Sequence, residues 1–201
     1  CIRDSRCGSM YAYEQEDIIP DMLTTAKGLG AGYQPIAVLL CRDQILAPII
    51  AGSGFFQHGH TYMGHATAAA GALATLEYLQ SNQLISRVEP LGKLLRQSLS
   101  EQLASHPYVG DIRGRGLFTG IEIVQNKETK KPFDPALKVN NRIKMLAMEK
   151  GLMCYPMGGT IDGKHGDHIL LAPPFIITEK QIEQVSAILS DTIQEVTSKL
   201  V

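Results

Sequence analysis

A lysine set directly against glycines is the first place in this 201-residue chain where chemistry could reside. Lys27 follows the apolar-and-threonine stretch MLTTA and precedes Gly28, Gly30 and Gly32, which let the backbone approach a bound group closely. Enclosure disfavours the charged form of a lysine, so its amine becomes a usable nucleophile toward a carbonyl. A lysine on a solvated loop has the same spacing, and spacing alone does not decide between the two. The second candidate is His58-Gly59-His60-Thr61, which joins a hydroxyl to glycine backbone ahead of a helical stretch. Such a loop could hold an anion through side-chain and backbone donors. His58, His60 and His65 also invite a metal, but no Asp or Glu lies among them and no ligand pattern is met, so no metal is expected. Arg113 and Arg115, around Gly114 and Gly116, read as a generic tight turn, and 158–168 as a lid or a long hairpin loop.

The elements that must position these residues follow from periodicity. Residues 1–20 are irregular, and a Pro20-Asp21 turn leads into the lysine segment. The uninterrupted apolar run Ile36 to Cys41 predicts a strand buried on both faces. After the histidine loop, the alanine-rich stretch with Ala69, Leu73, Leu76 and Leu79 predicts a buried helix over about 65–80. Val88, Leu91, Leu95, Leu99 and Leu103 mark an amphipathic second helix. From Val109 the character changes: a glycine-punctuated turn precedes alternation at Leu117, Thr119, Ile121 and Ile123, a strand pattern. A helix over about 135–150 is stopped by Gly151, and LMCY and HILLA are short strands around a glycine-rich loop. Thr178 with Gln181 makes a capping box for a last helix.

Composition bounds the function. The chain carries 19 basic against 20 acidic side chains, a net charge of −1, and is 44% hydrophobic. That balance offers no basic field for nucleic acid. No run approaches the ~20 apolar residues of a membrane span, and no charged leader opens the chain, so a cytoplasmic place is the default expectation. Cys1, Cys7, Cys41 and Cys154 show no CxxC pair, which speaks against a disulfide framework or a zinc site. The opening CIRDSRCGSM begins without Met and reads like a chain cut into.

In combination these segments carry a resemblance. PDMLTTAKGLGAGYQPIAVLL at 20–40 resembles the segment bearing the cofactor lysine in the class III, pyridoxal-phosphate-dependent aminotransferases. HGHTYMGHATAAAGALATLE at 58–77 is similar to that family's phosphate-contacting loop and the helix after it. DIRGRGLFTGIEIV at 111–124 and HILLAPPFIITEKQIE at 168–183 resemble two hallmarks of its C-terminal domain. The four occur in family order.

The resemblance implies an α/β protein: the later part of a fold type I PLP-transferase large domain over residues 1–104, then a small α+β C-terminal domain over 105–201. It implies a transaminase using pyridoxal 5'-phosphate to move an amino group between an amine or amino acid and an oxo acid. Lys27 would be the Schiff-base lysine and the acid/base that moves the proton. Thr61, with Gly59 and His60, would reach the cofactor phosphate of the neighbouring subunit, which implies a homodimer with shared active sites. Leu170 stands ahead of the APP motif where members acting on α-amino acids carry arginine, which leans toward the ω-amino acid and amine branch. RCGSMYAYE at 6–14 resembles the stretch after the family's aspartate strand, so the carboxylate that keeps the pyridine nitrogen protonated falls ahead of Cys1. A fragment, inactive by itself, is therefore expected. The alternatives are an aminomutase or decarboxylase on the same scaffold, or a non-catalytic remnant that dimerises.

Overall fold

The structure, a computed structural model, describes residues 5–200, which fall into two compact units. The first holds Ser5 and Ser9–Ile85; the second holds Arg6–Gly8 and the chain from Ser86 onward. Among the described residues no helix is long and apolar enough to cross a membrane.

In the first unit, a 3-10 turn at Ala12–Glu16 precedes strand β1 (Met22–Thr25), which leads straight into a second 3-10 turn, Lys27–Gly30. Strand β2 (Val38–Cys41) returns antiparallel to β1, from Met22 opposite Cys41 to Thr25 opposite Val38. Here the structure corrects the sequence reading. Ile36 to Cys41 is strand only from Val38, and it is open rather than buried, with Leu39 and Leu40 55% and 48% exposed. Apolar character states what a strand can bury; burial itself requires a layer on each face, and a two-stranded ribbon supplies none.

Helix α1 (Asp43–Ala51) has no counterpart in the sequence reading, because Pro48 stands inside it. The proline removes one donor from a helix of only nine residues, and Gly52 closes the end by donating to the Pro48 carbonyl at 2.9 Å. Helix α2 (Ala66–Ser81) forms over the alanine-rich stretch but is not the buried helix predicted: it buries Ala68 and Ala72, whereas Ala69 and Leu73 are exposed and Leu76 and Leu79 only half-buried, because the unit sets no second layer against that stripe. Its Gly71 packs so close to the loop after Lys27 that an added Cβ would lie 2.8 Å from Gln34 Cγ.

The second unit is a four-stranded antiparallel sheet with three helices, α3 (Val88–Leu103), α4 (Val139–Glu149) and α5 (Glu179–Ser198). Its strands are β3 (Val109–Arg115), β4 (Phe118–Ile123), β5 (Tyr155–Gly158) and β6 (Asp167–Leu171), in the order β3-β4-β6-β5. Along β4 and β6 alternate residues are buried, as a sheet with one covered face requires. Leu95, Leu99 and Leu103 of α3, Ile121 and Ile169 of the sheet, and Leu189 and Ile193 of α5 are fully shielded in one core. The expected capping box starts α5: Gln181 N–H donates to Thr178 Oγ1 at 3.3 Å and Thr178 N–H to Gln181 Oε1 at 2.9 Å. Cys7 is buried in this unit, and burial pushes the Cys154 thiol up to about 11.

The compact units divide after Ile85, whereas the resemblance implied a boundary at 104/105. The reason is α3. Its apolar stripe, read correctly from spacing, packs on α5 and β3 and so belongs with the C-terminal sheet.

Candidate functional site

The candidate residues lie in the first unit. β1 delivers the chain to Lys27 through Thr25, 5% exposed, and Ala26, whose backbone is extended. The chain then reverses its handedness: Lys27 has φ +51°, a left-handed conformation that costs a side-chain-bearing residue about 1–2 kcal/mol. The turn is closed by Leu29 N–H to Ala26 C=O at 3.2 Å, Ala31 N–H to Gly28 C=O at 2.9 Å and Tyr33 N–H to Gly30 C=O at 2.8 Å. Lys27 is exposed at the head of this turn. A strained residue carrying the one amine of the segment is the kind of outlier from which a functional hypothesis can start.

The histidine loop runs into α2, and its members have separate duties. His65 is the helix N-cap, its Nδ1 accepting the Ala68 N–H at 3.2 Å. His58 and His60 meet edge to face at 5.6 Å between ring centroids. Met63 N–H donates to the His60 carbonyl at 2.9 Å and His65 N–H to the Tyr62 carbonyl at 3.1 Å, forming a turn that presents Thr61 outward. Gly59 sits under Met63, whose Cε would be 3.1 Å from an added Cβ. Among the described residues no group of three His, Cys, Asp or Glu is suited to a metal ion. From residue 44 to residue 76 the sequence has no charged side chain, so no carboxylate opposes an anion at the Gly59-His60-Thr61 turn.

The two candidate segments therefore share one small unit, joined through α2, which caps on His65 at one end of the loop and packs against the Lys27–Gly30 turn. Each presents its reactive group outward: an amine on one, a hydroxyl with backbone donors on the other. The sequence reading missed Gln34, which packs against α2 at Gly71, and the role of Arg6, which lies in a stretch without periodicity.

Comparison with known proteins supplies the frame. A family model described as aminotransferase class-III matches residues 4–193. An uncharacterized aminotransferase of Schizosaccharomyces pombe is 45% identical over 199 residues, covering 97% of this chain and 42% of the relative. The aminotransferase YodT of Bacillus subtilis is 39% identical over 195 residues, covering 97% of this chain and 44% of its own. Among solved structures, a transaminase from the marine bacterium Virgibacillus superposes with a TM-score of 0.93 at 33% identity, over 100% of this chain and 44% of that one. The chain thus spans less than half the length of the relatives it matches.

Proposed function

The chain belongs to the class III aminotransferases, and from that premise we propose that the whole protein is a pyridoxal-phosphate-dependent transaminase whose cofactor lysine is Lys27. The observation that carries this reading is the Lys27 turn: an amine at the end of a strand, at φ +51°, followed at once by glycines. The residues fit the group chemically. Lys27 Nζ would hold the cofactor aldehyde, while Thr61 Oγ1, Gly59 N–H and His60 would receive the phosphate of the cofactor held by the neighbouring subunit, in a loop free of carboxylates. When bound, pyridoxal phosphate supplies an electron sink for the charge left as a proton leaves the amino donor. Lys27 Nζ would be the base that takes up that proton and returns it.

In this reading the Thr61 turn serves the site of a second subunit, and a homodimer shares its two sites. The first unit, through Ile85, contributes to the cofactor domain, and the second, which includes α3, to the small domain. The amino donor is an amine or amino acid and the acceptor an oxo acid, with a lean toward ω-amino substrates through Leu170. The chain spans less than half the length of its relatives, and in this reading residues 1–201 alone are not a competent transaminase.

Borohydride reduction of the cofactor-loaded whole protein, followed by peptide mapping, should place the pyridoxyl group on Lys27. Label on Lys93 or Lys164 instead would sink the assignment, and Lys27→Ala should abolish labelling at the 22–33 peptide.

A further inference from the structure

We propose that Arg6–Gly8 is a docked strap, that the C-terminal unit carries a dedicated receptor for it, and that Arg6 is the positioning residue that fixes the 172–175 segment. The need for a strap arises from the sequence of that segment. After β6 the chain leaves the sheet as Ala172-Pro173-Pro174, where two prolines have no N–H to offer and the carbonyls have lost their ladder partners. Arg6 answers both carbonyls at once: Nη1 donates to Ala172 C=O at 2.9 Å and to Pro173 C=O at 2.7 Å. The same guanidinium lies over the Phe175 ring, 5.4 Å from its centroid. A planar group that donates twice from one nitrogen while its face lies on a ring is an arginine's property and not a lysine's.

The backbone of the strap has its own seat. Leu117 N–H, in the turn between β3 and β4, donates to the Arg6 carbonyl at 2.9 Å. Gly116, at φ +52°, leaves room for it: an added Cβ would stand 2.2 Å from that carbonyl oxygen. The turn is held from the other side by Arg96 Nη1, which donates to Gly116 C=O at 2.6 Å, and by Gly92, where an added Cβ would fall 1.9 Å from the same oxygen. Cys7, 7% exposed, closes the seat. Two glycines and two arginines, on segments far apart in sequence, thus serve one junction.

The test uses the full chain and follows amide hydrogen exchange. The reporters are Leu117 N–H, which bonds the strap, and Ile177 N–H, which bonds the Pro174 carbonyl at 3.0 Å; Lys150 N–H, at the end of α4, is the control. In Arg6→Ala both reporters should exchange about tenfold faster or more, with the control unchanged. Arg6→Lys should give a smaller acceleration and carries the comparison if the alanine variant is not recovered folded. A reduced, end-blocked Ser-Arg-Cys-Gly-Ser-Met peptide added to Arg6→Ala should restore protection, and the same peptide with alanine for arginine should not. Gly116→Ala, which fills the seat but keeps Arg6, should accelerate both reporters and resist rescue. Unchanged reporters in Arg6→Ala, acceleration shared equally by the control, or rescue by the alanine peptide would each overturn the proposal.

Discussion

At the scale of single residues, Lys27 is where proposed function and stability pull apart. A left-handed backbone is nearly free for glycine and costs any other residue, so the turn is less stable with lysine than it could be. Replacing the side chain without relieving the backbone separates the two effects. Lys27→Ala keeps the strain; Lys27→Gly removes it. The glycine variant should be more stable than the alanine variant by about 1 kcal/mol, read as a shift in urea midpoint between the two. Equal midpoints would mean that the turn relaxes at no cost and that its strain carries no functional meaning. Thr61 stands differently: it is exposed in an unstrained turn, and its proposed value lies wholly in the ligand it would meet.

At the scale of elements, the join between α3 and β3 is pH-sensitive. His106, 8% exposed, accepts the Tyr108 N–H at Nδ1, 3.2 Å away, so its proton sits on Nε2. Burial holds this imidazole below its ordinary value of 6.5; the nearby Gln194 side chain of α5 opposes the shift, and the Lys127 charge adds to it. Asp191, the acidic side chain lining the groove beside His106, is engaged by Lys150 at 2.5 Å. Because the folded state resists the proton more than the unfolded state does, the unfolded chain binds more protons below the ordinary value. Stability at this join is therefore complete above about pH 6.5 and is lost as pH falls below it. The urea midpoint should drop between about pH 7.5 and about pH 5.5, and His106→Asn, which keeps an acceptor for Tyr108 N–H but cannot titrate, should flatten that drop. An identical slope in the variant would assign the pH dependence elsewhere.

At the scale of the whole molecule, the two units are unequally finished. The C-terminal unit has a continuous core of leucine, isoleucine and valine from its three helices and its sheet. The first unit buries little and leaves Ile19, Met22, Leu39, Phe55, Phe56 and Tyr62 between 55% and 79% exposed. Its two-stranded ribbon also has open edges. Such surface is held in water only at a cost, and apolar patches of this kind are prone to association. The 201-residue chain should therefore bind a hydrophobic dye and associate as its concentration rises through the micromolar range, with light scattering as the measurement. A monodisperse, dye-silent monomer would show that the first unit is complete as it stands.

What the sequence by itself determined is whatever rests on local periodicity or on a short motif. The stripe of α3, the alternation of β4 and the Thr178–Gln181 cap were legible because 3.6- and 2-residue spacings encode which face is apolar, and α2 was legible as a helix though not in which of its residues are buried. The lysine-glycine and histidine-threonine segments were legible as candidates on the same local grounds. Tertiary structure decided everything that depends on which layers meet. It left Val38–Cys41 open where apolar content predicted burial, drew α3 across the expected boundary, and kept a helix at Asp43–Ala51 despite Pro48. It also joined Arg6 to carbonyls 166 and 167 residues away. A carbonyl stripped of its partner by proline takes its donor from whatever the fold brings near, and nothing in the spacing of residues 1–20 could announce that the donor would be Arg6.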